Sequence, residues 1–120
     1  MHRFRTPLFV FVLALIVSAC TRENEDDPIV PPADCDLTDV SYETRVDQII
    51  ATSCRGCHNS NVQNGGVSLA TKAQVQAQAN NGQLLDAVYG RNGVSQMPPS
   101  SSLPDCDIAV LQAWVDDGAN

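Results

Sequence analysis

Cys54-Arg55-Gly56-Cys57-His58 is the stretch on which the reading of the whole chain turns. Two thiols three positions apart can each add across one vinyl group of a haem and end as thioethers. A histidine directly after the second thiol then falls under the iron and offers it a ring nitrogen. C-x-x-C-H is the attachment signal for haem c, and a proximal histidine is the usual haem ligand. Gly56 keeps the short turn tight, and Arg55 is expected to point to solvent. Two other chemistries use the same thiol spacing. C-x-x-C is a zinc-ligand pair and a thiol-redox pair. A redox motif expects a β-α-β setting, and the flanks here are not β-rich. A zinc site would have to recruit Cys35 and Cys106, because the chain has no second tight cysteine pair.

The chain has 120 residues, enough for one small domain. Its first stretch stands apart from that domain. Arg3 and Arg5 precede an unbroken apolar run from Leu8 to Val17, closed by Ser18, Ala19 and Cys20. This is a secretory signal over residues 1–19, too short for a stable bilayer anchor. Its ending resembles the lipobox of bacterial lipoproteins, which implies cleavage before Cys20 and acylation of that cysteine. Thr21, not an aspartate, follows Cys20, which points to the outer membrane. Residues 20–34 then form a tether rich in acids and prolines, with almost nothing to bury. Its acids Glu23, Glu25, Asp26 and Asp27 resemble the surface-export signals of some Gram-negative lipoproteins. Whether the domain faces the periplasm or the cell surface stays open.

After cleavage the chain keeps five basic residues against fourteen acids, a formal charge of −9. Such a balance argues against nucleic acid as a partner. It favours redox protein partners with basic docking patches. Export also places the chain in an oxidising compartment, where cysteines outside the motif can pair.

The domain proper spans residues 35–120. Tyr42, Val46, Ile49 and Ile50 make one apolar stripe, so Ser41 to Thr52 reads as a helix with Ser41 as its cap. It runs straight into the C-x-x-C-H motif. Residues 59–66 read as loop, after which Val67 and Leu69 return to the core. Thr71 to Asn81 and Gln83 to Tyr89 read as helices separated by Gly82 and stopped by Gly90. Residues 91–102 read as an ordered loop holding Met97-Pro98-Pro99, which the two prolines should keep extended. Met97 is the one methionine left after the signal is removed. Its sulfur is a candidate sixth iron ligand; the competing role is to fill a gap in the core. Asp105 to Asp117 reads as the last helix, with Pro104 at its first position and Ile108, Leu111, Trp114 and Val115 facing inward.

With Cys54-Arg55-Gly56-Cys57-His58, the later Met97-Pro98-Pro99 and amphipathic helices at both ends, residues 34–120 resemble class I c-type cytochromes. More narrowly, they are similar to the single-haem lipoprotein cytochromes of Gram-negative bacteria. Those share a Gly-Gly-Val-Ser-Leu-like stretch, here Gly65 to Leu69. They also share a final helix of the type seen from Asp105 to Ala119, although such helices more often carry Ser or Thr where this chain has Pro104. The resemblance implies an all-α fold of three to five helices around one covalent haem c, with His58 and Met97 as axial ligands. It implies an electron-transfer protein, not an enzyme.

With Cys20 given to lipid and Cys54 and Cys57 to haem, Cys35 and Cys106 remain. If the terminal helices cross, as in small cytochromes c, the two could form a disulfide; otherwise they are free thiols. A haem domain with an open distal face, acting as a ligand sensor or as part of a haem enzyme, is a second functional class. It would lack a distal histidine, because the only other one is His2. A zinc- or disulfide-stapled binding module without haem is a third.

Overall fold

A computed structural model of the protein describes residues 30–120. The expected signal, the expected lipidation site Cys20 and the acidic run that follows it lie outside the described residues. Among the described residues there are four helices and no strands. The fold is all-α, as the resemblance implies.

The first helix, α1, opens on a π turn, Tyr42–Val46, and continues as α-helix over Asp47–Ser53. The Ser41 hydroxyl accepts from the Thr44 amide at 3.2 Å, and the Thr44 hydroxyl accepts from the Ser41 amide at 3.2 Å. This is a capping box with threonine in the place usually taken by Glu or Gln. The Val46 amide reaches back five residues to the Ser41 carbonyl, which widens the first turn. Tyr42, Val46, Ile49 and Ile50 are all buried.

Helix α2, Lys72–Asn80, is capped by Thr71 in a second capping box with Gln74. It buries only Val75 and Ala79, so its own sequence does little to hold it in place. Ion pairing helps: Lys72 lies 2.8 Å from Glu43 and 5.4 Å from the Tyr42 ring centre, tying the start of α2 to α1. Gly82, at φ 84°, turns the chain into α3, Gln83–Tyr89, which buries Leu84, Leu85 and Val88.

Helix α4 spans Asp105–Asp116. Pro104, expected at the first helical position, sits one step before it at ψ 144°. Its carbonyl still accepts from the Ile108 amide at 3.1 Å, so the first helical bond closes on a residue whose own backbone is extended. The buried set is Ile108, Ala109, Val110, Leu111 and Trp114. Val110 joins it because α4 packs against both α1 and α3; Val115 is only partly buried. Removing a side chain such as Val46, Ile50 or Leu111 from water contributes about 1.5–3 kcal/mol each.

Trp114 meets Tyr42 of α1 with ring centres 5.7 Å apart and planes tilted by 50°, a favoured aromatic geometry. Its indole N–H donates to the Asn120 carbonyl at 2.9 Å, and Gln76 of α2 donates to the Ala119 carbonyl at 2.8 Å. The C-terminus is thereby drawn across α2 and α4. Cys35, ahead of α1, is bonded to Cys106 in the first turn of α4, with Cα atoms 5.5 Å apart.

Candidate haem-binding cleft

The amides of Cys54 and Arg55 close the end of α1 on the Ile50 carbonyl, at 3.0 and 2.9 Å, and the motif then folds back on itself. The amides of Cys57 and His58 both donate to the Cys54 carbonyl, at 3.1 and 3.0 Å. Asn59 staples the far side: its amide nitrogen donates to the Arg55 carbonyl at 2.8 Å, and its oxygen accepts from the amides of Asn61 and Val62. A 3-10 turn follows at Asn64–Gly66, with Gly65 and Gly66 at φ 65° and 76°. These left-handed residues suit glycine and send the chain back along the motif. The Leu69 amide then donates to the His58 carbonyl at 2.8 Å.

The ring of His58 is oriented by the same returning segment. Its Nδ1 lies 3.2 Å from the Val67 carbonyl oxygen. A carbonyl only accepts, so the contact requires the proton on Nδ1 and leaves the lone pair on Nε2 for a metal. Metal-ligating histidines commonly carry such a backbone partner, which fixes the ring and raises its basicity.

Met97 arrives from the opposite end of the sequence. Its amide donates to the Ala87 carbonyl of α3 at 2.8 Å. Gly90 permits that approach: it holds φ 67°, and a Cβ there would stand 2.9 Å from the Cβ of Gln96. The strip after Met97 is not extended as expected. It bends at Met97 and Pro98, whose peptide bond is cis, and turns at Pro99 and Ser100. The chain has to double back here from the end of α3 to the start of α4.

Cys54, Cys57, His58 and Met97 all border one cleft of about 410 Å³. Leu69, Leu84, Val88, Val94 and Leu103 give it apolar walls. Its remaining lining, including Ser53, Asn64, Gln78, Gln83 and Ser100, carries no charged side chain. An apolar slot with two thiols at its border, one oriented imidazole and one thioether fits a haem. The donor set suits iron: a nitrogen and a soft sulfur, with no carboxylate beside them. Burial pushes the Cys54 thiol up to about 11. The zinc alternative loses its other ligands, since Cys35 and Cys106 are bonded to each other. No group of three or more His, Cys, Asp or Glu able to hold a metal occurs among the described residues.

Arg55 does not point to solvent. Its Nε donates to the Leu69 carbonyl at 2.9 Å, and its Nη2 donates to the Tyr42 hydroxyl at 3.0 Å and to Asp47 Oδ1 at 2.6 Å. The chain turns back at the end of α1, which brings the guanidinium against α1 and the returning segment together. These partners are missed in the sequence because the contacts are tertiary. The one signal was an unassigned Asp47 on the helix leading into the motif.

A family model described as Planctomycete cytochrome C matches residues 54–101. The match begins at the first motif cysteine and runs past Met97, so it covers the cleft-forming part of the chain but less than half of its length. It supports a c-type cytochrome domain and, with it, covalently bound haem c as the cofactor. No match to the chain was found among curated proteins or among solved structures.

Proposed function

We propose that the protein is a carrier of single electrons, a c-type cytochrome whose haem is held by thioethers to Cys54 and Cys57 and ligated by His58 and Met97. The observation that carries this reading is the shared cleft: His58, with Nε2 as its free nitrogen, and Met97 border the same apolar slot. Haem c supplies one-electron iron chemistry when bound. The chain's own part is to keep that chemistry simple. His58 and Met97 would both ligate the iron, which would leave no site for a substrate. A Met97 sulfur ligand would favour the ferrous state and raise the potential. The apolar walls exclude water, and Cys57, which is exposed, marks an edge through which an electron can leave.

The same reading extends to the cell. A lipid on Cys20 would tether the domain to a bacterial membrane, in keeping with the lipobox-like sequence. The acidic, proline-rich stretch after Cys20 would then serve as the spacer between the membrane and the domain. With its acidic charge, the domain suits partners carrying basic patches.

Optical spectra of the purified protein, oxidised and reduced, test the central claim. A c-type spectrum, haem retained after acid-acetone extraction and a sulfur-to-iron charge-transfer band in the ferric protein are expected. Rapid carbon monoxide binding by the reduced protein would instead indicate an open distal face and overturn the carrier reading.

A further inference from the structure

Arg55 stands inside the attachment motif, yet its side chain serves neither thioether nor iron. It reaches the returning segment at Leu69, and that segment touches the motif at three points. The Leu69 amide donates to the His58 carbonyl, the Leu69 carbonyl accepts from Arg55 Nε, and the Val67 carbonyl accepts from His58 Nδ1. Two of the three hold the segment in place; the third orients the axial ring. The guanidinium is itself fixed from behind by Asp47 and by the Tyr42 hydroxyl, on a residue that is buried in the core. The clamp therefore runs from α1, through Arg55, to the carbonyl that faces the imidazole.

We propose that Arg55 is a positioning residue for the haem iron: by holding residues 67–69 it keeps the Val67 carbonyl on His58 Nδ1 and so sets the ring's orientation and its electron donation. The inference rests on the haem reading given above. A planar fork is needed because two directions must be served at once: Nε toward Leu69 and Nη2 toward Tyr42 and Asp47. A lysine has the charge but not this geometry. When the Val67 contact loosens, the imidazole becomes a weaker donor. Ferric iron is then less well stabilised, and the midpoint potential rises.

The experiment compares wild type, Arg55→Lys and Arg55→Gln as holoproteins. Each is first shown by its spectrum to carry haem c with sulfur ligation, which separates failure of the haem reading from failure of this one. Paramagnetic NMR of the ferric protein then reads the His58 ring resonances, and redox titration reads the potential. Arg55→Lys is expected to shift the ring resonances and to raise the potential although the charge is kept. Ring resonances unchanged in both variants, or Arg55→Lys indistinguishable from wild type, would show that Arg55 acts only as a structural ion pair or a through-space charge. If neither Arg55 variant accumulates with haem, Asp47→Asn frees the guanidinium from its rear support. The same resonances must then move by a smaller amount, and their constancy would overturn the proposal.

Discussion

Met97 and Asp47 show how much one side chain can report. Replacement of Met97 by alanine removes the sulfur and leaves Ala87 its backbone partner, since that contact uses the Met97 amide. The loop should keep its place while, on the proposed ligation, the iron loses its sixth ligand. Expected outcomes are loss of the ferric sulfur-to-iron band, a lowered potential and new carbon monoxide binding by the ferrous protein. A retained band would assign Met97 to gap-filling in the cleft wall. Asp47 reports through pH. Its hydrogen bond with the Arg55 guanidinium holds its carboxyl below the ordinary value. The stabilisation is complete above the unfolded-state value and fades as pH falls through the lower, folded one. Asp47→Asn should therefore be less stable than wild type near about pH 6 and approach it near about pH 3. Because the Asp47 side chain is 45 % exposed, solvent screens the pair, and the gap should not exceed about 1 kcal/mol. Chemical denaturation at the two pH values measures it.

At the level of elements, local signals were legible and tertiary ones were not. Ser41 and Thr71 could be read as caps because a hydroxyl at a helix start needs only its own next turn. Gly82 and Gly90 could be read as stops because a left-handed residue is a local need. The π turn at Tyr42–Val46 had no such signal, nor did the reach of Arg55, and the bend after Met97 depends on where α4 must begin. For the site, the thiols and the histidine were readable as a motif. The Val67 carbonyl that orients the ring was not, since backbone acceptors leave no mark in sequence. Gly90 illustrates the difference between strain and crowding. Gly118 has a similar backbone, φ 89°, but a Cβ there would meet only the Asn120 side-chain amide, at 3.1 Å. Gly118→Ala should cost about 1–2 kcal/mol of left-handed strain and leave the haem spectrum unchanged. Gly90→Ala carries the same strain and also pushes on Gln96 next to Met97, so it should weaken the sulfur-to-iron band as well. Thermal melts and ferric spectra of the two variants distinguish a generic helix stop from one that supports a ligand loop.

For the molecule as a whole, the cleft is a deficit that haem must fill. Leu69, Leu84 and Val88 belong to the core and also face the slot. Without haem, the apolar walls of this open groove of about 410 Å³ would face water, and a domain this small buries little other apolar surface to offset that exposure. The haem-free chain should thus lack a cooperative thermal transition, and calorimetry of protein made without haem attachment checks this. What opposes collapse of the rest is the Cys35–Cys106 link, which joins the approach to α1 with the first turn of α4 across 71 residues of sequence. Closing a loop of that size restricts the unfolded chain by on the order of 4 kcal/mol. The paired Cys35→Ser and Cys106→Ser holoprotein should keep its spectrum, because neither cysteine borders the cleft. Its melting temperature should fall by about 10 °C or more, given that 1 kcal/mol moves a domain of this size by about 4–8 °C. A drop of under about 3 °C would mean that the helix contacts and the haem already hold the two ends together, and that the bond adds little to them.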